Sequence, residues 1–377
     1  MNRNPFLLKG YHSPDFFCDR EQETAQLLRN VLNGVDTTLI SPRKYGKTGL
    51  IYHFFHHVQT QNLPFEPLYI DIFPSRSLND FIKILAEAIL QRFPEKSSIG
   101  SRFLEILKGF RPVITYDPIS GTPQVQINYQ LSSEKEHTLQ GLLKFLNDQE
   151  KSVVLAIDEF QQITEYPENN TEALLRTTIQ QLHNIRFIFC GSKHTIMADI
   201  FQDAKRPFFS STKFISLDKI DFERYSQFII YHFEKNQIEV EPEAIQHILK
   251  WTKRHTFYTQ SLCNTIFSLN PEIVNYDIVN QACNEILENN SATYLQYREL
   301  LTNSQWDFLI AVAKEGAVQK LTSAKFLSTY QISGTTTARR NAQSLTDKEL
   351  LLAIPDKKYT TYQVYDLFLS RWLEREY

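Results

Sequence analysis

Cysteine is scarce and scattered. The chain has 377 residues and four cysteines, Cys18, Cys190, Cys263 and Cys283, with no C-x-x-C pair. This argues against a zinc site and a disulfide framework and suits a reducing compartment. Long apolar runs are missing, and the opening MNRNPFLLKGYHS lacks the apolar core of a signal peptide. We therefore expect a cytoplasmic protein with no membrane partner. An excess of one charge is missing too. Forty Lys and Arg stand against 43 Asp and Glu, a formal net charge of −3. No global basic field advertises nucleic acid, so any such contact must come from a local patch. Glycine is sparse, with 11 against 27 Phe and 18 Tyr. The 42% hydrophobic and 22% charged composition is that of an ordinary globular chain, long enough for two or three domains of roughly 150 residues.

The most informative stretch is LISPRKYGKTGLI, residues 39 to 51. Within it, Ser41, Pro42, Arg43, Lys44, Tyr45, Gly46, Lys47 and Thr48 fit the phosphate-loop pattern G-x-x-x-x-G-K-[ST] at every fixed position but the first. Thr37 to Ile40 reads as the strand entering the loop and Leu50 to Val58 as the helix leaving it. That context supplies what anion binding needs: successive backbone N–H groups at a helix N-terminus. Gly46 lets the backbone approach phosphate, Lys47 would contact the β- and γ-phosphates, and Thr48 would place its hydroxyl on Mg²⁺. We count Gly49 with the loop. Ser41 replaces the usual glycine, so less comfortable backbone angles are expected there.

A second strand, Pro67 to Ile72, and a helix, Ser77 to Phe93, continue the βαβ rhythm of a parallel sheet. Residues 94–135 interrupt it with a short helix and a β-hairpin. Then Ser152 to Asp158 forms an almost wholly apolar run ending in Asp158-Glu159, the pattern of a central parallel strand. Ligands sit at the carboxyl ends of such strands. Asp158 is placed to hold Mg²⁺ through water, as the partner of Thr48, and Glu159 to orient or deprotonate an attacking water. A further strand, Ile185 to Cys190, is followed by Ser192, a candidate γ-phosphate sensor. Arg206, before the last strand at Lys213 to Leu217, is either an arginine finger reaching a neighbouring subunit or an ordinary ion-pair residue.

From Asp221 the chain turns helical, and residues 221–300 read as a small lid. Residues 301–377 read as three helices, a two-stranded wing and a closing helix. The third helix, Thr335 to Asp347, carries Arg339 and Arg340, and the wing carries Lys357 and Lys358. These four would serve a duplex DNA contact; the competing reading is a protein-interaction or nucleotide-gating module, with a protein partner or self-association in place of DNA. Phe6, Tyr11, Phe16 and Phe17 are expected to pin the N-terminal arm to the first domain, residues 1–220. His53, His56 and His57 have helical spacing compatible with a metal, but no Cys or carboxylate joins them in the sequence.

With NPF, FFCDRE, SPRKYGKTGLI, VVLAIDEFQQI, FIFCGSKHTIM, RPFF and YQVYDLFLSRWL in this order, the chain resembles prokaryotic P-loop ATPases of the AAA+-related STAND group, the archaeal-type or MNS-clade family. The resemblance implies an AAA+-like α/β fold: a parallel sheet sandwiched by helices, a helical lid and a C-terminal winged helix. It also implies ATP and Mg²⁺ as cofactors, slow hydrolysis, and a switch between nucleotide domain, lid and winged helix. By the same match, Asp19 and Arg20 lie by the adenine. The family's usual Gly-x-Pro on a lid helix is replaced here by Arg254-His255-Thr256, so Arg254 or His255 would have to stand in. Two functions remain open: an ATP-hydrolysing switch, and a DNA-binding regulator or scaffold that keeps ATP as a structural ligand. The Asp158-Glu159 pair favours hydrolysis.

Overall fold

Alternation of short apolar strands with amphipathic helices builds the first of two compact units, residues 9–220. Its elements are α1 (Glu21–Leu32), β1 (Thr37–Ile40), α2 (Lys47–Thr60), β2 (Phe65–Asp71), α3 (Leu78–Arg92), α4 (Ser98–Lys108), β3 (Pro112–Tyr116), β4 (Pro123–Ile127), α5 (Ser132–Asn147), β5 (Ser152–Asp158), α6 (Thr171–Ile179), β6 (Ile185–Gly191), α7 (His194–Gln202) and β7 (Lys213–Ser216). The computed structural model describes residues 4–94, 97–109, 112–127, 129, 132–355 and 359–377. Lys357 and Lys358 of the expected wing lie outside the described residues.

Five strands form one parallel sheet in the order β2-β5-β6-β1-β7. Side chains alternate between its faces. Val153, Leu155 and Ile157 enter one core with Phe81, Leu142 and Phe189, whereas Val154 and Ala156 enter another with Leu27, Leu50 and Phe54. Both faces are thus covered, which is why β5 is apolar from Val153 to Ile157. The register pairs Asp71 with Asp158 and Ile40 with Gly191. The carboxyl ends of β1, β2, β5 and β6 therefore form one edge. The insertion carries the antiparallel pair β3–β4, joined to α3 where Val125 N–H donates to Glu87.

The second unit comprises the arm up to Leu8 and Asp221–Tyr377. It contains α8 (Phe222–Glu234), β8 (Glu239–Val240), α9 (Pro242–Trp251), α10 (Thr256–Ser268), β9 (Ile273–Val274), α11 (Tyr276–Glu299), α12 (Asn303–Glu315), α13 (Ala324–Thr329), α14 (Thr335–Asp347), β10 (Leu351–Pro355), β11 (Thr360–Val364) and α15 (Leu367–Glu376). Helices α12 to α14, the β10–β11 hairpin and α15 make a winged helix, and Val318 adds a bridge to Tyr362. Helices α8 to α11 and the winged helix share one body. Arg371 of α15 donates to the Trp251 carbonyl at 2.9 and 3.1 Å, and Tyr294 of α11 packs on Trp372 at 5.5 Å between ring centroids. The turn before α10 takes left-handed angles at Lys253 (φ 51°) and Arg254 (φ 56°).

Phe6 corrects the reading of the arm. It is buried against Phe233 at 4.8 Å and Phe267 at 6.5 Å, and Asn264 donates to its carbonyl at 2.7 Å. An apolar residue in an arm demands burial but does not choose its destination. Tyr11 and Phe17 do join the first unit, through His53.

Candidate active site

Helix α2 begins at Lys47, three residues earlier than its apolar periodicity suggests. Gly46 caps it with φ 97°, and Lys44 has φ 64°. The left-handed turn of the loop falls on these two residues, and Ser41 does not take a positive φ. Serine therefore meets no left-handed strain at that position, contrary to the expectation from its sequence. Its buried side chain bonds its neighbour's carbonyl, and its N–H donates to Gly191 O at 3.4 Å, tying the loop to β6.

Lys47 is only 6% exposed, and its Nζ donates to Ser41 O at 3.2 Å. Burial pulls its pKa below the ordinary lysine range, against the opposing pull of Asp158 and Glu159. A buried ammonium whose hydrogen-bond partner is a carbonyl suits an incoming anion. Thr48, one residue on, donates to Asp158 Oδ2 at 2.8 Å. A hydroxyl and a carboxylate side by side are hard oxygen donors of the kind Mg²⁺ takes. The loop and strand residues thus fit a nucleotide's phosphates with their cation.

Asp158 is buried and held from three directions. Besides Thr48, Tyr69 donates to Oδ2 at 3.0 Å, and the Glu159 N–H donates to Oδ1 at 3.0 Å. Burial, then Asp158 and Asp71, push the Tyr69 phenol well above its ordinary range. Glu159 has left-handed angles (φ 54°), which turn its carboxylate off the strand line. Ser192 donates to Glu159 Oε2 at 2.8 Å, and Gln161 Nε2 donates to the same oxygen. Gln161 sits in a 3₁₀ turn, Phe160–Glu165, anchored by Phe160 in a ring cluster with Phe189, Phe201 and Phe208. Tyr69 and Gln161 are the site residues that the sequence pattern left unmarked.

The Asp19–Arg20 turn joins this neighbourhood. Arg20 is buried, pairs with Glu23 at 2.8 Å and donates to the Asp218 carbonyl at 2.6 Å. Tyr45 of the loop feels both Asp218 and Arg20; burial and Asp218 raise its pKa while Arg20 lowers it. Arg43 lies over the Phe73 ring at 5.9 Å. Arg206 is taken up by a two-point ion pair with Glu172, at 2.6 and 3.3 Å. The histidine cluster turns to packing: His53 stacks on Phe17 at 4.5 Å and meets Tyr11 OH at 3.0 Å. Among the described residues, no three His, Cys, Asp or Glu side chains gather as a metal-holding group. No helix among them is long and apolar enough to cross a membrane.

Solved structures share this fold. The Walker-type ATPase PABY2304 of Pyrococcus abyssi superposes with a TM-score of 0.65 at 16% identity, over 98% of this chain and 99% of that one. The Aeropyrum pernix ORC2 protein in ADPNP–ADP complexes gives 0.60 at 16% identity, over 99% and 96%. The Aeropyrum pernix ORC1 protein in complex with DNA gives 0.54 at 13% identity, over 99% and 97%. No curated protein matches the sequence. Residues 292–375 match the family model described as "Probable winged helix domain". Residues 17–254, well over half the chain, match the model described as an ATPase domain predominantly from Archaea, and the chain belongs to that family of ATP-hydrolysing enzymes.

Proposed function

We propose that the chain is a Mg²⁺-dependent ATPase working as a nucleotide-driven switch, with its winged helix as the output. The observation that carries this reading is the meeting of Lys47, Thr48, Asp158, Glu159 and Ser192 at one edge of a parallel sheet. Lys47 would neutralise the β- and γ-phosphates. Thr48 and Asp158 would hold Mg²⁺, which when bound supplies further charge neutralisation to the phosphate oxygens. Glu159 would orient the attacking water or take its proton, with its carboxylate steadied by Ser192 and Gln161. Asp19 and Arg20 would border the base, a role supported by the electrostatic coupling of Arg20 to Tyr45 of the loop. Arg206 would act on a neighbouring subunit's phosphate only after leaving Glu172. The motif order that resembles the STAND group supports slow turnover and switching.

Duplex DNA is the output partner we propose. Arg339 and Arg340 are exposed on α14 while Ala338, Asn341, Ala342 and Leu345 of the same helix are buried. This leaves both guanidinium groups available to a groove or its phosphates. The fold shared with an ORC1 protein solved with DNA supports the same reading. Hydrolysis measured with and without duplex DNA tests it: stimulation is expected, and indifference would turn the search to a protein partner.

A further inference from the structure

We infer that Tyr69 is a positioning residue for Asp158, its phenol holding the Asp158 carboxylate in the orientation that Mg²⁺ binding requires. The inference rests on the nucleotide site proposed above.

A carboxylate offers about four acceptor positions. Asp158 has three of them engaged, by Thr48 Oγ1 and Tyr69 OH on Oδ2 and by the Glu159 N–H on Oδ1. The two donors on Oδ2 differ in what happens when a cation arrives. A hydroxyl oxygen carries two lone pairs besides its hydrogen, so Thr48 would give a lone pair to Mg²⁺ while it donates to Oδ2. Tyr69 has no such second task. Its hydrogen bond serves the carboxylate alone, and with the Glu159 N–H it keeps the carboxylate from rotating. Outer partners of this kind orient metal ligands and tune their affinity.

Tyr69 is itself held in place. It lies on β2, paired in register with Ala156 of β5, two residues before Asp158. Its ring packs on Tyr52 at 5.1 Å between centroids. Tyr52 stands one turn beyond Thr48 on α2, so the helix carrying the threonine also carries the ring that backs the phenol.

The experiment is a Mg²⁺ titration of the binding of a fluorescent non-hydrolysable ATP analogue to full-length wild type, Tyr69→Phe and Asp158→Asn. Tyr69→Phe keeps the ring and removes one oxygen. It should bind the analogue like wild type in EDTA and need roughly tenfold more Mg²⁺ for half of the metal-dependent tightening. Asp158→Asn should shift the same titration at least as far. A wild-type titration for Tyr69→Phe beside a shifted Asp158→Asn would overturn the inference and leave the site reading standing. No shift in either variant would overturn both. Loss of analogue binding by Tyr69→Phe already in EDTA would overturn the positioning role in favour of a structural one.

Discussion

Thr48 Oγ1 donates to Asp158 Oδ2 at 2.8 Å, joining two residues 110 positions apart in the chain. One stands in the first turn of the helix after the loop, the other at the end of a central strand. The parallel register of β1, β6 and β5 brings them together. Through this pair, two separate sequence motifs become one set of oxygen donors.

Lys47→Ala should weaken ATP binding by roughly 10- to 100-fold, the worth of a charge-assisted hydrogen bond of about 1.5–3 kcal/mol. Equilibrium binding of a fluorescent nucleotide reads it directly. Affinity equal to wild type would remove Lys47 from the phosphate site.

Gly191→Ala should destabilise the first unit. An added Cβ would stand 2.5 Å from Gln161 Oε1 and from Cγ and Sδ of Met197. Overpacking of this kind costs about 1–3 kcal/mol. Urea unfolding of the variant should show a lower midpoint, and turnover should fall as Gln161 is displaced from Glu159. A variant as stable and as active as wild type would contradict the packing described at the end of β6.

Asp36 sets an acid-side stability trend. Its carboxylate accepts from Phe187 N at 2.9 Å, and burial raises its pKa from 3.8 to about 6. Between those two values the native state holds a proton that the unfolded chain has released. Asp36 therefore makes stability fall as pH rises from about 4 to about 6, and the deficit persists above that window. Asp36→Asn should abolish this penalty and show a higher urea midpoint at pH 7.5. An unchanged midpoint across the window would argue that the carboxylate is not perturbed by folding.

Much of this was legible in the sequence, and the remainder was hidden for identifiable reasons. The loop, the acid-ended strand β5 and the three helices of the winged domain announce themselves through local spacing. Tyr69 and Gln161 do not, since their bonds to Asp158 and Glu159 depend on register and rotamer rather than on spacing. Lys47 and Thr48 belong to the helix because Gly46 supplies a left-handed cap, which apolar periodicity starting at Leu50 does not reveal. Helix α11 runs unbroken for 24 residues to Glu299, and Tyr294 near its end finds Trp372 to pack on. Such a contact is written in the tertiary fold alone.

Arg339→Ala combined with Arg340→Ala should weaken duplex binding and lower the slope of log affinity against log salt by roughly 1.8, about 0.9 for each phosphate no longer neutralised. Fluorescence anisotropy over a salt series gives both quantities. An affinity and slope unchanged by the double substitution would exclude α14 as the contact.

The most direct test is steady-state ATP hydrolysis by wild type and Glu159→Gln in saturating Mg²⁺. Glu159→Gln is expected to bind ATP still but to turn it over about 10²- to 10⁴-fold more slowly. A Glu159→Gln rate equal to that of wild type would contradict the role given to this carboxylate.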